Sequence, residues 1–303
     1  MPADSPSTSY VGRFAPTPSG PLHFGSLLAA AASYLDARKA GGRWLLRIED
    51  IDPPREMPGA DRLIIDTLGR YGFEWDGDVI YQSQSTGAHL NAAAELRERA
   101  LAYPCSCSRK DLKAAPRSVL GVIYPGTCRS GCKPGETALR VLTNNRPVVF
   151  EDRLQGRQSN RLEAESGDFI VVRRDGLIAY HLAVVVDDAA QGITDIVRGI
   201  DLLPSTARHI HLQSLLNLPS PRYAHIPVAE NEDGSKLSKL TGAQPIPNDD
   251  AVRVLLLALE ALGQAPPESL KRGTLAEVWA WAVAHWAPEE LAGRTRIALQ
   301  HYC

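Results

Sequence analysis

The chain has 303 residues, of which 44% are apolar and 22% charged, with a formal net charge of −2. These values describe an ordinary globular protein with one large domain and room for an appendage, and they exclude a uniformly basic nucleic-acid coat. No run of about eighteen apolar residues exists, so no membrane-spanning helix is expected, and Met1 to Ser9 reads as a short polar tail without the features of an export signal. A cytoplasmic monomer is the expectation.

Tyr10 to Phe14 reads as a short buried strand, followed by a loop from Ala15 to Pro21 whose prolines exclude helix. From Phe24 to Lys39 apolar residues recur at helical spacing, Gly41-Gly42 stops the helix, and Trp44 to Ile48 reads as a second strand. Strand, helix and strand in this order predict a βαβ unit and a parallel sheet. Helical patterns return at 60–71 and 88–101. The stretch 103–145, rich in Cys, Gly, Pro and basic residues, reads as an inserted subdomain between two halves of a catalytic domain, 10–102 and 146–241. Strands are predicted at 148–150, 169–172 and 193–197, with helices at 180–187 and 205–216. After a polar loop at 230–241, two amphipathic helices are expected to form a C-terminal segment, 242–303. The first spans 249–262, capped by Asn248 and ended by Gly263.

Three constellations carry chemistry. His23-Phe24-Gly25-Ser26 stands at the start of the first helix, where free N–H groups and the helix dipole favour a phosphate. Gly25 permits close approach of a nucleotide, and a His23 donor can stabilise charge on an α-phosphate. Lys236 and Lys239 lie in a loop near Gly234 and Gly242, spaced to reach separate phosphates. Cys105, Cys107, Cys128 and Cys132 cluster within 28 residues, which in a chain without an export signal favours metal over disulfides. Cys105 and Cys107 can bind a tetrahedral zinc with Cys128 as a third ligand, and Cys132 offers a thiolate fourth; reduced cysteines without metal are the alternative. Around them, between Cys105 and Lys133, six basic residues (Arg109, Lys110, Lys113, Arg117, Arg129, Lys133) face one acid, Asp111, a pattern suited either to a solvated loop or to a phosphate backbone.

Pro18 to Ser26 resembles the first signature of class I aminoacyl-tRNA synthetases, and Lys236-Leu237-Ser238-Lys239 resembles the second. Arg13 to Thr17, Arg47 to Asp52, Tyr180 to Asp188 and Asp195 to Gly199 are similar to segments of glutamyl-tRNA synthetases. The likeness runs from about Tyr10 to Thr241. It departs at Ser26, where the signature has its second histidine, and at Phe24, where a smaller aliphatic residue is usual. A P-loop string is also absent.

This resemblance implies a Rossmann-like, doubly wound parallel sheet with an inserted zinc-binding subdomain and a small helical segment at the C-terminus. It implies that His23, Lys236 and Lys239 act in catalysis and that His23, Gly25, Ser26 and Lys239 hold ATP, delivered with Mg²⁺. It places Arg13, Phe14, Ala15, Pro16, Thr17, Glu49, Tyr180 and Arg198 around L-glutamate. Such a ligand needs a guanidinium for its side chain, from Arg13 or Arg198, and a carboxylate for its amine, from Glu49. The resemblance also suggests Tyr124, rather than Cys132, as the fourth ligand to one structural zinc. Because 64 residues follow Lys239, the chain is similar to a shortened paralogue that transfers glutamate to queuosine in the anticodon loop of tRNA(Asp). A compact conventional glutamyl-tRNA synthetase, a small-metabolite adenylyltransferase and a non-catalytic tRNA-binding paralogue are the alternatives.

Overall fold

A computed structural model of the protein describes residues 9–230 and 244–298. The expected N-terminal tail, Ser9 apart, lies outside them. The chain opens with β1 (Val11–Phe14), α1 (Phe24–Lys39) and β2 (Arg43–Ile48). β1 and β2 run parallel, in register from Val11 opposite Arg43 to Phe14 opposite Leu46, as the βαβ reading requires. α1 buries Leu27, Leu28, Ala30, Ala31, Ala32 and Leu35, so it is a central helix and not an amphipathic surface one. It packs on β1 and β2 and also on the C-terminal helices. Gly42 is required where the chain turns back, because a Cβ there would lie 2.3 Å from the Tyr10 carbonyl oxygen.

The chain continues through α2 (Ala60–Arg70), β3 (Ile80–Tyr81), α3 (Thr86–Glu98), β4 (Ala102–Cys105), β5 (Arg117–Ser118), β6 (Gly121–Val122), β7 (Ala138–Val141), β8 (Val148–Asp152) and β9 (Gly156–Asn160). Then come α4 (Leu162–Glu165), β10 (Phe169–Val172), α5 (Tyr180–Ala190), β11 (Asp195–Gly199), α6 (Leu203–Leu215), β12 (Arg222–Ile226), β13 (Val228–Glu230), α7 (Ala251–Ala261), α8 (Leu275–His285) and β14 (Arg296–Ala298).

β1, β2 and β3 form one parallel sheet; β11, β12 and β8 form a second, with β9 antiparallel at its edge. The sheets abut through Thr194, whose N–H donates to Val11 O at 2.9 Å while its Oγ1 accepts from Val11 N at 2.9 Å. Strand order therefore reverses between β1 and β11, and in open α/β sheets ligands bind at such a switch point, beyond the carboxyl ends of the strands. Residues alternate across the sheet. Val197, Ala224 and Ile226 face the core shared with α1, α7 and α8, whereas Ile196 and Tyr223 face Ile210 of α6. Trp44 anchors the first core, stacked on Phe73 at 5.5 Å between ring centres and edge-on to Tyr34 at 5.1 Å. A smaller antiparallel sheet, β4-β7-β10, packs with α3, α5 and α6 around a second core.

Several expected elements differ. The strand read at 193–197 begins at Asp195, because Ile193 and Thr194 are still engaged with Asp188 and Val11. α7 starts at Ala251 with Asp250 at its N-cap and no side-chain cap bond, so Asn248 is not its cap. Gly263 does end it, in the left-handed conformation at φ +74°. The C-terminal segment is not wholly helical, since β14 pairs in parallel with β13 after the two helices.

Candidate active site

A cleft of about 880 Å³ opens where the ends of β1 and β11 meet. Arg13, Phe14, Ala15, Pro16 and Thr17 line it from β1 and the loop beyond, His23, Gly25 and Ser26 from the start of α1, and Glu49, Tyr180 and Arg198 from its other walls. The cleft therefore brings together all the candidate glutamate and nucleotide residues among the described ones. Lys236 and Lys239 lie outside the described residues.

Buried charges dominate one wall. Arg13 makes a two-point ion pair with Asp188, from Nε at 3.1 Å and Nη2 at 3.3 Å. Arg47 reaches the same carboxylate at 2.8 Å and Glu49 at 3.3 Å. Burial would raise the Asp188 carboxyl, but Arg13 and Arg47 outweigh it and hold the group below the usual carboxylate range. Burial dominates at Glu49 and raises its carboxyl, tempered by Arg47 and Arg13. Two guanidiniums thus face two carboxylates. Arg198 is different: its partners are His225, His209, Thr206, Tyr180 and the Leu202 carbonyl, with no carboxylate among the described residues. Arg198 is thus the one guanidinium of the three with no carboxylate bonded directly to it among the described residues; the nearest buried one bonded to its partners, Asp152, stands behind His225.

At the start of α1, His23 is the N-cap and its Nδ1 accepts the Ser26 backbone N–H at 3.3 Å. A neutral ring in that role carries its proton on Nε2, which lies 3.1 Å from Ser26 Oγ. The ring is thereby fixed against the helix N-terminus, the position at which a phosphate is favoured. Where the described residues resume, Ile246 N donates to Leu22 O at 3.0 Å and Pro245 bridges to His23, so this segment is tied to the first signature.

Three of the cysteines form a tight trio, with Cys132 packed beside them. The Sγ atoms of Cys105, Cys107 and Cys128 lie within 4.8 Å of one another, a grouping that Cys132 does not join. Tyr124 projects its hydroxyl into the trio, 3.3 Å from Cys105 Sγ and 3.6 Å from Cys107 Sγ, and accepts the Cys128 N–H at 2.9 Å. Its backbone is clamped by Gly167, where a Cβ would meet the Tyr124 carbonyl oxygen at 2.1 Å. Burial would raise the Cys128 thiol, but hydrogen bonds from Tyr124 and the Ser106 backbone bring it down to about 7. Three thiols and a phenol converging on one point suit a tetrahedral zinc. Arg129, one of the six basic residues nearby, pairs with Asp168 at 2.7 Å and Glu163 at 3.0 Å; Arg109, Lys110, Lys113, Arg117 and Lys133 are exposed.

Sequence reasoning did not single out Asp188, His209, His225 or Asp152. Asp188 and its partner Arg47 stood within the segments that resemble glutamyl-tRNA synthetases, and their placement in otherwise apolar runs was the available signal. His225 and Asp152 had none, because their meeting depends on β12 lying beside β8.

The family model for the catalytic domain of class I tRNA synthetases (E and Q) matches residues 10–253. The chain belongs to this family and has its mixed α/β catalytic fold with a parallel sheet. A glutamate-tRNA synthetase from Elizabethkingia anophelis superposes with a TM-score of 0.79 at 21% identity, over 96% of this chain and 68% of that one. A relative from Pseudomonas paraeruginosa is 53% identical over 96% of this chain and 98% of its own length, and one from Pseudomonas aeruginosa is 54% identical over 92% and 94%. Both are named glutamyl-Q tRNA(Asp) synthetase. Within the class I synthetases, the chain belongs to the family these relatives form.

Proposed function

We propose that the protein activates L-glutamate with ATP and transfers the glutamyl group to queuosine in the anticodon loop of tRNA(Asp). A carboxylate oxygen of glutamate attacks the α-phosphorus of ATP, the bond to the β-phosphate breaks, and pyrophosphate leaves. A hydroxyl of queuosine then attacks the acyl carbon, losing its proton as AMP departs.

The observation that carries this reading is the arrangement of charged groups in the cleft. Glutamate has two carboxylates and one ammonium, and the cleft offers at Arg198 a guanidinium with no directly bonded carboxylate among the described residues, with the Glu49 carboxylate on another wall. Arg198 receives the side-chain carboxylate and Glu49 the ammonium, while Arg13, tied to Asp188, shapes the wall beside Phe14 to Thr17. ATP lies over Gly25 and Ser26 with its α-phosphate at the helix start and His23, brought in as its Mg²⁺ complex, and Lys236 and Lys239 neutralise the departing phosphates. The names of relatives 53% identical over almost their full length support the acceptor. Exposed Arg109, Lys110, Lys113, Arg117 and Lys133 hold tRNA phosphates, so binding weakens as salt rises. One zinc held by Cys105, Cys107, Cys128 and Tyr124 fastens the segment that carries them.

ATP–pyrophosphate exchange across a panel of amino acids tests the activation step. Exchange that depends on glutamate supports the reading. Exchange driven by another carboxylic acid, or none with any, defeats it.

A further inference from the structure

Arg198 is held by a chain of buried polar groups whose proton positions are determined by their neighbours. Arg198 is 5% exposed, Asp152 3%, and His225 wholly buried. The guanidinium has five N–H donors and no acceptor, so any ring nitrogen facing it must present a lone pair. Its Nε donates to His225 Nε2 at 3.0 Å. On the far side of that ring, Nδ1 lies 2.5 Å from Asp152 Oδ2. Asp152 is held below the usual carboxylate range: burial would raise it, and its hydrogen bonds with His225 and the backbone more than offset this. It therefore has no proton to give, and His225 Nδ1 must donate. Both contacts specify one species, a neutral imidazole with its proton on Nδ1. Asp152 is itself fixed by the backbone N–H groups of Leu154, Gln155 and His225, at 3.0, 2.9 and 3.2 Å from its Oδ1.

This arrangement puts one imidazole between the carboxylate and the guanidinium. A carboxylate bonded directly to Arg198 would orient it and also neutralise it. The imidazole orients it while holding the carboxylate one ring away, so the charge is opposed less closely and the guanidinium's remaining N–H groups stay open to a ligand carboxylate. On the other side His209 offers Nδ1 at 3.4 Å, and Thr206 Oγ1 accepts from Nη2 at 2.8 Å, again without opposing charge. We infer that Asp152 and His225 are positioning residues for Arg198, setting the affinity for a side-chain carboxylate and the discrimination of glutamate against glutamine. This rests on the reading that Arg198 receives that carboxylate.

Asp152→Asn is isosteric and can keep Oδ1 on the three backbone donors, but it places an amide N–H against His225 Nδ1. The ring must then carry its proton on Nε2, facing the Arg198 donor. In pyrophosphate exchange, KM for glutamate should rise roughly tenfold to a hundredfold, the range for losing a hydrogen bond to a charged group. KM for ATP should stay in place, and the preference for glutamate over glutamine should shrink. His225→Leu should behave alike, whereas His225→Gln, whose amide can accept from Arg198 and donate to Asp152, should restore most of the affinity. Nitrogen-15 spectra of histidine-labelled protein should show His225 protonated on Nδ1 in the wild type and on Nε2 in Asp152→Asn.

Arg198→Ala separates the two readings. If its KM for glutamate is unchanged, the assignment of the pocket falls and this inference with it. If Arg198→Ala raises KM while Asp152→Asn and His225→Leu do not, the pocket stands and the positioning role is wrong. A wild-type spectrum with the His225 proton on Nε2 overturns the inference whether or not the variants fold.

Discussion

Arg13 of β1 and Asp188 of α5 meet in a two-point ion pair across 175 residues of sequence, and the same carboxylate takes Arg47 at 2.8 Å. One acid thus joins the first strand, the second strand and a helix from the far half of the chain. Asp188→Asn leaves two buried guanidiniums with Glu49 as their remaining carboxylate. Removing one partner of a buried ion pair typically costs about 3–5 kcal/mol. Urea denaturation should show a loss of that size, and a loss below about 1 kcal/mol would mean that Asp188 does not anchor the wall.

Glu49 is proposed to hold the substrate ammonium. Glu49→Gln keeps the shape of the site and removes the charge, so kcat/KM for glutamate in pyrophosphate exchange should fall roughly 10²-fold, as when a buried charge loses its partner. An unchanged value would place the ammonium elsewhere.

Local pattern made α1 legible to the residue, since its apolar spacing and the Gly41-Gly42 stop leave little alternative. It also revealed β10 at Phe169–Val172 and the two C-terminal helices. β9, Gly156–Asn160, was invisible because its residues are largely polar: it is an edge strand with no apolar face to announce it. β12 was missed despite Tyr223 and Ile226, as a five-residue run after Pro-Ser-Pro reads equally well as loop. The cleft residues Arg13, Glu49, Tyr180 and Arg198 were legible through the resemblance. Asp188 also stood within a resembling segment, but its pairing with Arg13, like that of Asp152 with His225, joins elements distant in sequence, which no local pattern reports.

The geometry of the cysteine trio predicts how metal content responds to substitution. The double variant Cys105→Ser, Cys107→Ser should purify without zinc and with a destabilised segment around residues 103–145, because two of the four proposed ligands are gone. Tyr124→Phe should release zinc to a chelator faster than Cys132→Ser does. Elemental analysis and chelator competition check both; stoichiometric zinc in the double variant would place the metal elsewhere.

Two buried histidines, His209 and His225, and the half-buried His181 predict the acid limit of stability. Burial leads in depressing each: His181 to about 3, His225 to about 4, and His209 well below the ordinary value. In the unfolded chain they titrate near pH 6.5. The folded state therefore binds fewer protons, and stability is complete above about pH 6.5 and falls as pH drops through 6.5 toward 4. Each ring contributes up to about 1.4 kcal/mol per pH unit in that window. The depressed carboxylates Asp152, Asp168 and Asp188 add their loss only at lower pH, below the ordinary carboxylate value. Urea midpoints should decline between pH 6.5 and 5, and a flat profile would show that the histidines are not held neutral.

Incubating the protein with ATP, labelled glutamate and defined tRNAs tests the proposed acceptor directly. Queuosine has a cyclopentene diol similar in shape to the terminal ribose diol of tRNA, so an adenylate can acylate either one, depending on which part of the tRNA enters the cleft. The account predicts an alkali-labile glutamyl ester on tRNA(Asp) that contains queuosine and none on the same tRNA without it. Efficient labelling of the 3′ end of tRNA(Glu), with none on queuosine, would contradict it and make the protein a conventional glutamyl-tRNA synthetase.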